Sequence, residues 1–367
     1  MHILFAGGGT AGHINPALAV ADFIKEKHPD AKISYIGTAK KLEAKLVPQK
    51  GYDFYTIDVA GFQRKITPKN ILRNISAAKK AVTSSVRSRK LLRELKPDLV
   101  VGTGGYVSGP VLKQAQKLGI KTAIHEQNAF PGITTKMLAS NADAVMLAMP
   151  EARKHLKLNK EPIITGNPIR GELLKSDRNM ARQKLQIGDK PLILSFGGSL
   201  GARRINETVT ELIKWHNGTD KYYHIHASGA SGFADMNKAL ENLSLSKMIS
   251  VREYIDNMDV CMAAADLVIC RAGAITLGEI AALGKPAILI PSPYVAENHQ
   301  FHNAMTLKEA GAAEIIEEKD LTGDKLIETV SRLIDSPKLL EKMREAAKQV
   351  AITDATKRIY DTLMSLI

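Results

Sequence analysis

Two cysteines in 367 residues, Cys261 and Cys270, exclude a disulfide framework, and their spacing fits no metal-ligand pattern. A reducing compartment is therefore expected. Aromatic residues make up 5% of the chain, with one tryptophan, so the stacking platform that single-stranded nucleic acids need is missing. No apolar run reaches the roughly 18 residues of a membrane-spanning helix. The start, MHILFAGGG, has no basic lead of the kind a signal peptide carries, so any membrane contact is expected to be peripheral. Acid is scarce in one region only. Residues 1–165 hold 26 Lys and Arg against 12 Asp and Glu, and the rest holds 25 against 26, so the net charge of +13 lies in the first half. Within it, Arg64 to Lys96 has 11 basic residues and one acid, Glu94. Such a segment suits a polyanion or an anionic surface.

What is present is alternation. Short apolar runs (HILFAG, KISYIGT, DLVVGTG, KTAIHEQ, DAVMLA) take turns with amphipathic stretches of helical spacing, which predicts an α/β chain with doubly wound parallel sheets. Pro162 and Pro168 around TGN interrupt the rhythm, and it restarts with PLILSFGGSLGARRIN. Two domains are expected, 1–165 and 166–350, with a last helical segment, 351–367, returning to the first.

Glycines follow three strands. Gly7, Gly9 and Gly12 fit the G-x-G-x-x-G spacing of a dinucleotide turn, but the second strand ends in Gly37, Thr38 and Lys40 without the acid that would hold a ribose. Asn15 and Pro16 read as a cap and a first helical residue, which predicts a helix from Pro16 and a long loop with His13 at its mouth. The second loop, GTGGYVSGP, places Gly104, Gly105, Tyr106 and Ser108 before a helix start at Pro110, and the third is FGGSLGARRIN. Glycine-rich loops at the carboxyl ends of parallel strands suit an anion. A fourth helix start, at Ala274, Ile275 and Thr276, suits a diphosphate, with Glu279 one turn on either facing a ribose or simply solvated.

Together GGGTAGHINPALAVA, GTGGYVSGP, HEQN, GNPIR, GGSLGARRIN, RAGAITLGEIAALGKPAILIPSP and ENHQFHNA resemble the MurG family of UDP-N-acetylglucosamine-dependent transferases, from residue 2 to the last helix. The resemblance implies a GT-B glycosyltransferase: two Rossmann-like domains facing across a cleft, the first for acceptor and membrane, the second for the UDP-sugar. It implies an inverting hexosyl transfer of GlcNAc from UDP-GlcNAc to the 4-hydroxyl of undecaprenyl-diphospho-MurNAc-pentapeptide, in peptidoglycan synthesis. By the same resemblance, Ile255 and Arg170 read the uracil, Glu279 the ribose, and Ser199 with Ala274, Ile275 and Thr276 the phosphates. Gln300 and Asn128 read the sugar, and Thr10, Ala11 and Gly12 meet the donor from the other side. Gly9 and the Gly104 to Ser108 loop would face the acceptor diphosphate. The family usually reads GGTGGH where this chain has Ala11, and a glutamine pair where it has His299 and Gln300.

The transfer needs a base on the acceptor hydroxyl. His13 is one candidate, since a neutral imidazole is available at physiological pH, and Glu126 of HEQN is the other. There is no Asp-x-Asp motif, so neither metal nor cofactor is implied. Ile71, Leu72, Ile75 and Val82 recur at helical spacing beside Lys79 and Lys80, which suits a helix on an anionic bilayer at the cytoplasmic face, or a stripe packed on the domain. Cell-wall synthesis proteins are further expected partners. Alternatives are a UDP-GlcNAc epimerase or a transferase to diacylglycerol on the same fold, a dinucleotide oxidoreductase, and a nucleic-acid-binding module that would leave the glycine loops unexplained.

Overall fold

The computed structural model of the chain describes residues 1–61, 67–198 and 201–367, apart from the side chains of residues 68–73, 75 and 76. Contacts divide it into two units, Met1–Pro168 with Asp354–Ile367, and Ile169–Thr353. The Thr165-Gly166-Asn167 run belongs to the first unit rather than opening the second. His125 Nε2 lies 3.0 Å from Gly166 O, and Asn167 Nδ2 donates to Gln127 O, which ties the run down.

The first unit comprises β1 (His2–Gly7), α1 (Ala11–Lys27), β2 (Lys32–Gly37), α2 (Glu43–Gln49), β3 (Asp53–Thr56), α3 (Pro68–Leu95), β4 (Leu99–Gly104), α4 (Gly105–Lys117), β5 (Lys121–Glu126), α5 (Ile133–Leu138), β6 (Ala144–Leu147) and β7 (Ile163–Ile164). Its parallel sheet runs β3-β2-β1-β4-β5-β6-β7. The second unit comprises α6 (Gly171–Leu174), α7 (Arg178–Lys184), β8 (Leu192–Phe196), α8 (Arg203–His216), β9 (Tyr223–Ala227), α9 (Phe233–Leu240), β10 (Ile249–Arg252) and α10 (Met258–Ala264). It continues through β11 (Leu267–Cys270), α11 (Ala274–Ala282), β12 (Ala287–Leu289), α12 (His299–Glu309), β13 (Ala313–Ile315), α13 (Gly323–Ile334) and α14 (Pro337–Gln349). Its parallel sheet runs β10-β9-β8-β11-β12-β13.

Strands buried on both faces read as unbroken apolar runs. In β1, Ile3 and Phe5 join one core with Ile14, Leu18 and Ile24 of α1, while Leu4 and Ala6 join another with Val111 and Leu112 of α4 and Leu91 of α3, as the two-residue period of a strand requires. The last helix, α15 (Ala355–Met364), adds Ile359 and Leu363 to the first of these cores, and the Tyr360 hydroxyl lies 2.8 Å from His28 Nε2.

Two helix starts differ from expectation for one reason. α1 begins at Ala11 and α4 at Gly105, so Pro16 and Pro110 are each the sixth residue of a helix rather than the first. Each ring removes only the donor to the carbonyl four residues back, Gly12 or Tyr106, in the opening turns, where the ladder is incomplete. Positive φ at Gly9 (89°), Gly104 (105°) and Gly105 (78°) lets the chain turn directly from strand into helix. The loop after β1 is therefore short, and His13 stands in the first turn of α1.

A buried polar chain crosses the second unit. Asn206 Nδ2 donates to Ser228 O at 2.8 Å, so its Oδ1, 3.2 Å from His226 Nε2, is an acceptor. Onward, His226 Nδ1 meets Ser195 Oγ at 2.7 Å, Ser195 Oγ meets His224 Nε2 at 2.8 Å, and His224 Nδ1 meets His216 Nε2 at 3.1 Å. The run closes only if each imidazole is neutral with its proton on Nε2. Burial holds all three below the ordinary imidazole range, His216 at about 4, His226 at about 3, and His224 well down, where the two neighbouring imidazoles add to the effect. Their folded values lie below the unfolded value of about 6.5, so the unfolded chain takes up these protons first as pH falls. The contribution to stability is whole above pH ~6.5 and is lost toward pH ~4. The single tryptophan, Trp215, is in α8 beside His216 and reports on this unit. The urea midpoint followed by Trp215 fluorescence is expected to fall steeply between pH 7 and pH 5, and His226→Asn, which cannot titrate, to flatten that slope.

Candidate functional site

Both sheets reverse their strand order once, between β1 and β4 and between β8 and β11. Ligands of doubly wound sheets bind outside the carboxyl ends of the strands at such points. In the first unit the loops there are Gly8 to Thr10 and Gly104 to Gly105. They touch with no room for side chains: a Cβ on Gly105 would lie 2.3 Å from Gly8 O, and one on Gly104 would lie 2.6 Å from His13 Nδ1. The His13 ring thus rests on the Gly104 backbone. Its Nδ1 lies 3.1 Å from Gln127 Oε1; Gln127 Nε2 lies 3.0 Å from His125 Nδ1 and 2.9 Å from His125 O. His125 is buried, and burial lowers its pKa against the opposing influence of Gly166 O.

Glu126 is also buried, and its carboxylate is fully engaged. It accepts from Asn128 N at 3.2 Å, Asn128 Nδ2 at 3.1 Å, Gly132 N at 3.1 Å and Thr135 Oγ1 at 2.6 Å, which fixes the turn into α5. The side chain of Asn128 faces Glu126 in this arrangement. Ser108 is buried, with its hydroxyl 2.6 Å from Ala6 O and 2.8 Å from Gly104 O while it accepts from Gly104 N, so it braces the loop from within. Tyr106 is exposed. The Gly9 N–H donates to Glu43 Oε2 at 3.0 Å, and Glu43 Oε1 accepts from the Thr38 amide and hydroxyl. Glu43, fully buried, was not singled out from the sequence, and neither was Gln127. Thr10 caps α1 in extended geometry, and the first helical bonds go from His13 and Ile14 to Thr10 O, which leaves the N–H groups of Ala11 and Gly12 at the open helix start. Ala11 has no positive φ, so a methyl in place of the family's glycine brings no strain.

In the second unit Glu279 is buried rather than solvated, and Arg170 Nε donates to its Oε1 at 2.9 Å. Burial pushes this carboxyl above the usual carboxylate range despite the guanidinium. Gly273 precedes α11, whose first helical bond runs from Leu277 N to Gly273 O, so the N–H groups of Ile275 and Thr276 stay outside the helical ladder next to Ala274. Ile255 is buried in the turn between β10 and α10. Gln300 Oε1 accepts from Ser292 N at 2.9 Å, and His299 Nδ1 meets Ala296 O at 2.8 Å, so both brace the turn before α12. Ser199 lies outside the described residues, as do the side chains of Ile71, Leu72 and Ile75. On α3, Val82 and Val86 are about two-thirds exposed, Lys79 is exposed and Lys80 pairs with Asp58 at 3.0 Å, while Ala77, Ser84, Ser88, Leu91 and Leu92 form the buried face. Among the described residues no group of His, Cys, Asp or Glu stands where it could hold a metal ion, and no helix is long and apolar enough to cross a membrane.

Residues 3–147 match the glycosyltransferase family 28 N-terminal domain and residues 192–359 the glycosyltransferase family 28 C-terminal domain. The chain is 46% identical to the UDP-N-acetylglucosamine--N-acetylmuramyl-(pentapeptide) pyrophosphoryl-undecaprenol N-acetylglucosamine transferase of Acetivibrio thermocellus, over 100% of this chain and 98% of that one. Its structure is similar to crystalline MurG of Acinetobacter baumannii, with a TM-score of 0.82 and 30% identity over 99% of both chains. UDP-GlcNAc 2-epimerase of Neisseria meningitidis shares the fold, with a TM-score of 0.66, but at 15% identity no more than that. Full-length identity above 40% together with matches to both glycosyltransferase domains separates the chain from the epimerases, and it belongs to the MurG family of N-acetylglucosaminyltransferases.

Proposed function

We propose that the chain transfers GlcNAc from UDP-GlcNAc to the 4-hydroxyl of undecaprenyl-diphospho-MurNAc-pentapeptide with inversion, and that His13 is the base. The observation that carries this reading is the placement of His13: it stands at the switch point of the first sheet, with one ring nitrogen anchored to Gln127 and no described residue on the other. Glu126, with four hydrogen bonds on its carboxylate, serves the turn instead. In the transfer the acceptor oxygen bonds to the anomeric carbon as the bond from that carbon to the β-phosphate oxygen breaks. UDP leaves with the electron pair, and the hydroxyl proton passes to His13 Nε2. The first unit takes the acceptor and the second the donor. There the backbone of Ile255, with Arg170, reads the uracil, Glu279 the ribose, and the open start of α11 meets the diphosphate, where its dipole stabilises developing negative charge. Removal of His13 as His13→Ala is expected to lower turnover by about a hundredfold or more, within the range of general-base catalysis, and to leave UDP affinity within twofold. Calorimetric titration with UDP beside a steady-state assay reads both. Wild-type turnover in this variant would remove His13 from the chemistry.

The acceptor's undecaprenyl chain requires approach to a bilayer, and the exposed face of α3 suits that approach. Lys79, Val82, Val86 and Lys90 follow at spacings of three, four and four residues, so they share one side of the helix. Each basic residue near an anionic surface contributes about 1 kcal/mol, and the valines add apolar burial. Flotation with anionic vesicles is expected to recover the protein at low salt, to recover much less at high salt, and to fall with Val86→Asp. Recovery that is absent, or indifferent to salt, contradicts the electrostatic part of this reading.

A further inference from the structure

The chain His13, Gln127, His125, Gly166 has fixed ends, so the direction of every hydrogen bond in it can be read. Carbonyl oxygens only accept. Gly166 O, 3.0 Å from His125 Nε2, therefore requires the hydrogen on that nitrogen. His125 is buried, and burial disfavours a second proton on its ring; the Gln127 side that lies 2.9 Å from the His125 carbonyl oxygen also lies 3.0 Å from Nδ1, so Nδ1 is an acceptor with a lone pair. Two acceptors there mean that this side is the nitrogen, so the oxygen is the side 3.1 Å from His13 Nδ1. An amide oxygen also only accepts. His13 thus carries its hydrogen on Nδ1 and its lone pair on Nε2.

We propose that Gln127 is a positioning residue that locks His13 in the Nδ1–H tautomer, so that Nε2 is permanently the proton-accepting atom; the proposal rests on the reading of His13 as the base. In the other tautomer Nε2 would point a hydrogen at the acceptor hydroxyl and could take nothing from it. The main chain of Gln127 is held by Asn167 Nδ2 on its carbonyl at 3.1 Å, and the His13 ring has Gly104 beneath it, so the amide and the imidazole meet as two constrained groups. The orienting partner is a neutral amide, not a carboxylate. It selects the tautomer without adding negative charge to the imidazolium formed during transfer. That distinction makes the role measurable, because a carboxylate in the same place would change proton affinity as well.

The test uses the full-length protein, as wild type, Gln127→Met and Gln127→Glu, with His13→Ala as reference. Nitrogen-15 NMR of the histidine rings, without substrate, reads the tautomer of His13. Wild type is expected to show the Nδ1–H form, and Gln127→Met a shift of population toward Nε2–H, with kcat ten- to a hundredfold lower and the Kd for UDP-GlcNAc within twofold. Gln127→Glu keeps an acceptor on the His13 side but sets an oxygen against His125 O and Nδ1, so it is expected to lose activity through those inner contacts, to hold His13 in the Nδ1–H form and to move the acid limb of the kcat/KM profile upward, since an opposite charge beside the ring favours its protonated form. A purely structural role for Gln127 would lower activity in both variants without moving either the tautomer or the limb. Finding wild-type His13 in the Nε2–H form, or an unmoved limb in Gln127→Glu, overturns the proposal. Should Gln127→Met fail to fold, the wild-type tautomer and the Gln127→Glu profile decide. Should His13→Ala keep full turnover, the base reading fails, and the ring NMR still shows whether Gln127 sets the tautomer.

Discussion

Close contact between two glycine loops is the constraint on which the rest of the first unit's site depends. Gly105 is pressed against the Gly8 carbonyl and Gly104 against the His13 ring, and a single methyl at either place would force the loops apart. Both glycines have positive φ, so space and backbone conformation impose the same residue independently. Brought this close, the ends of β1 and β4 place the first turn of α1 beside the end of β5, and His13 comes within hydrogen-bond reach of Gln127. Glu43 ties the first of these loops, through the Gly9 amide, to Thr38 at the end of β2. A buried carboxylate that accepts several hydrogen bonds is stiff, because moving it strands each donor. The loop that leads into the His13 turn is thus held by backbone contacts and one acid.

The two units use the same polar device for different ends. In each, an amide side chain whose direction is fixed by a main-chain carbonyl orders imidazoles: Gln127 against His125 O in the first, Asn206 against Ser228 O in the second. The second-unit chain, through Ser195, His226, His224 and His216, is wholly buried and orders the inside of the sheet. The first-unit chain ends instead on a half-buried ring at the carboxyl ends of the strands, and there the same ordering fixes which nitrogen is left without a described partner.

Much of this was legible in the sequence because glycines and apolar runs act locally. The parallel sheets, the glycine loops at strand ends, and the prominence of His13, Glu126 and Glu279 all follow from the residues in order. What failed was whatever tertiary contact decides. Asn15-Pro16 and Ser108-Gly-Pro110 look like helix starts, yet α1 and α4 begin five residues before each proline, where packed glycines set the turn. β7 and β13, of two and three residues, lack the length to show a period, and Pro162 hides the first. Glu43 looks like an ordinary charge near a helix start until the fold brings the Gly9 amide to it. Gln127 carries a weak signal, as the second polar residue at i, i+2 with His125 at the end of a buried strand, and its meaning appears only with His13 on one side and Gly166 on the other.

Glu126 and His13 are both polar residues at strand ends in glycine-rich surroundings, and sequence leaves them equal. Geometry separates them, since one spends its lone pairs on a turn and the other keeps one ring nitrogen clear of the described residues. In the proposed transfer this nitrogen takes the acceptor proton. Titrating His13 itself by ring NMR, and measuring the pH dependence of kcat/KM in the same buffer, tests it most directly. If His13 is the base, the acid limb of the rate profile coincides with the His13 titration and disappears with His13; a limb that follows some other group, with His13 titrating apart from it, rules His13 out as the base.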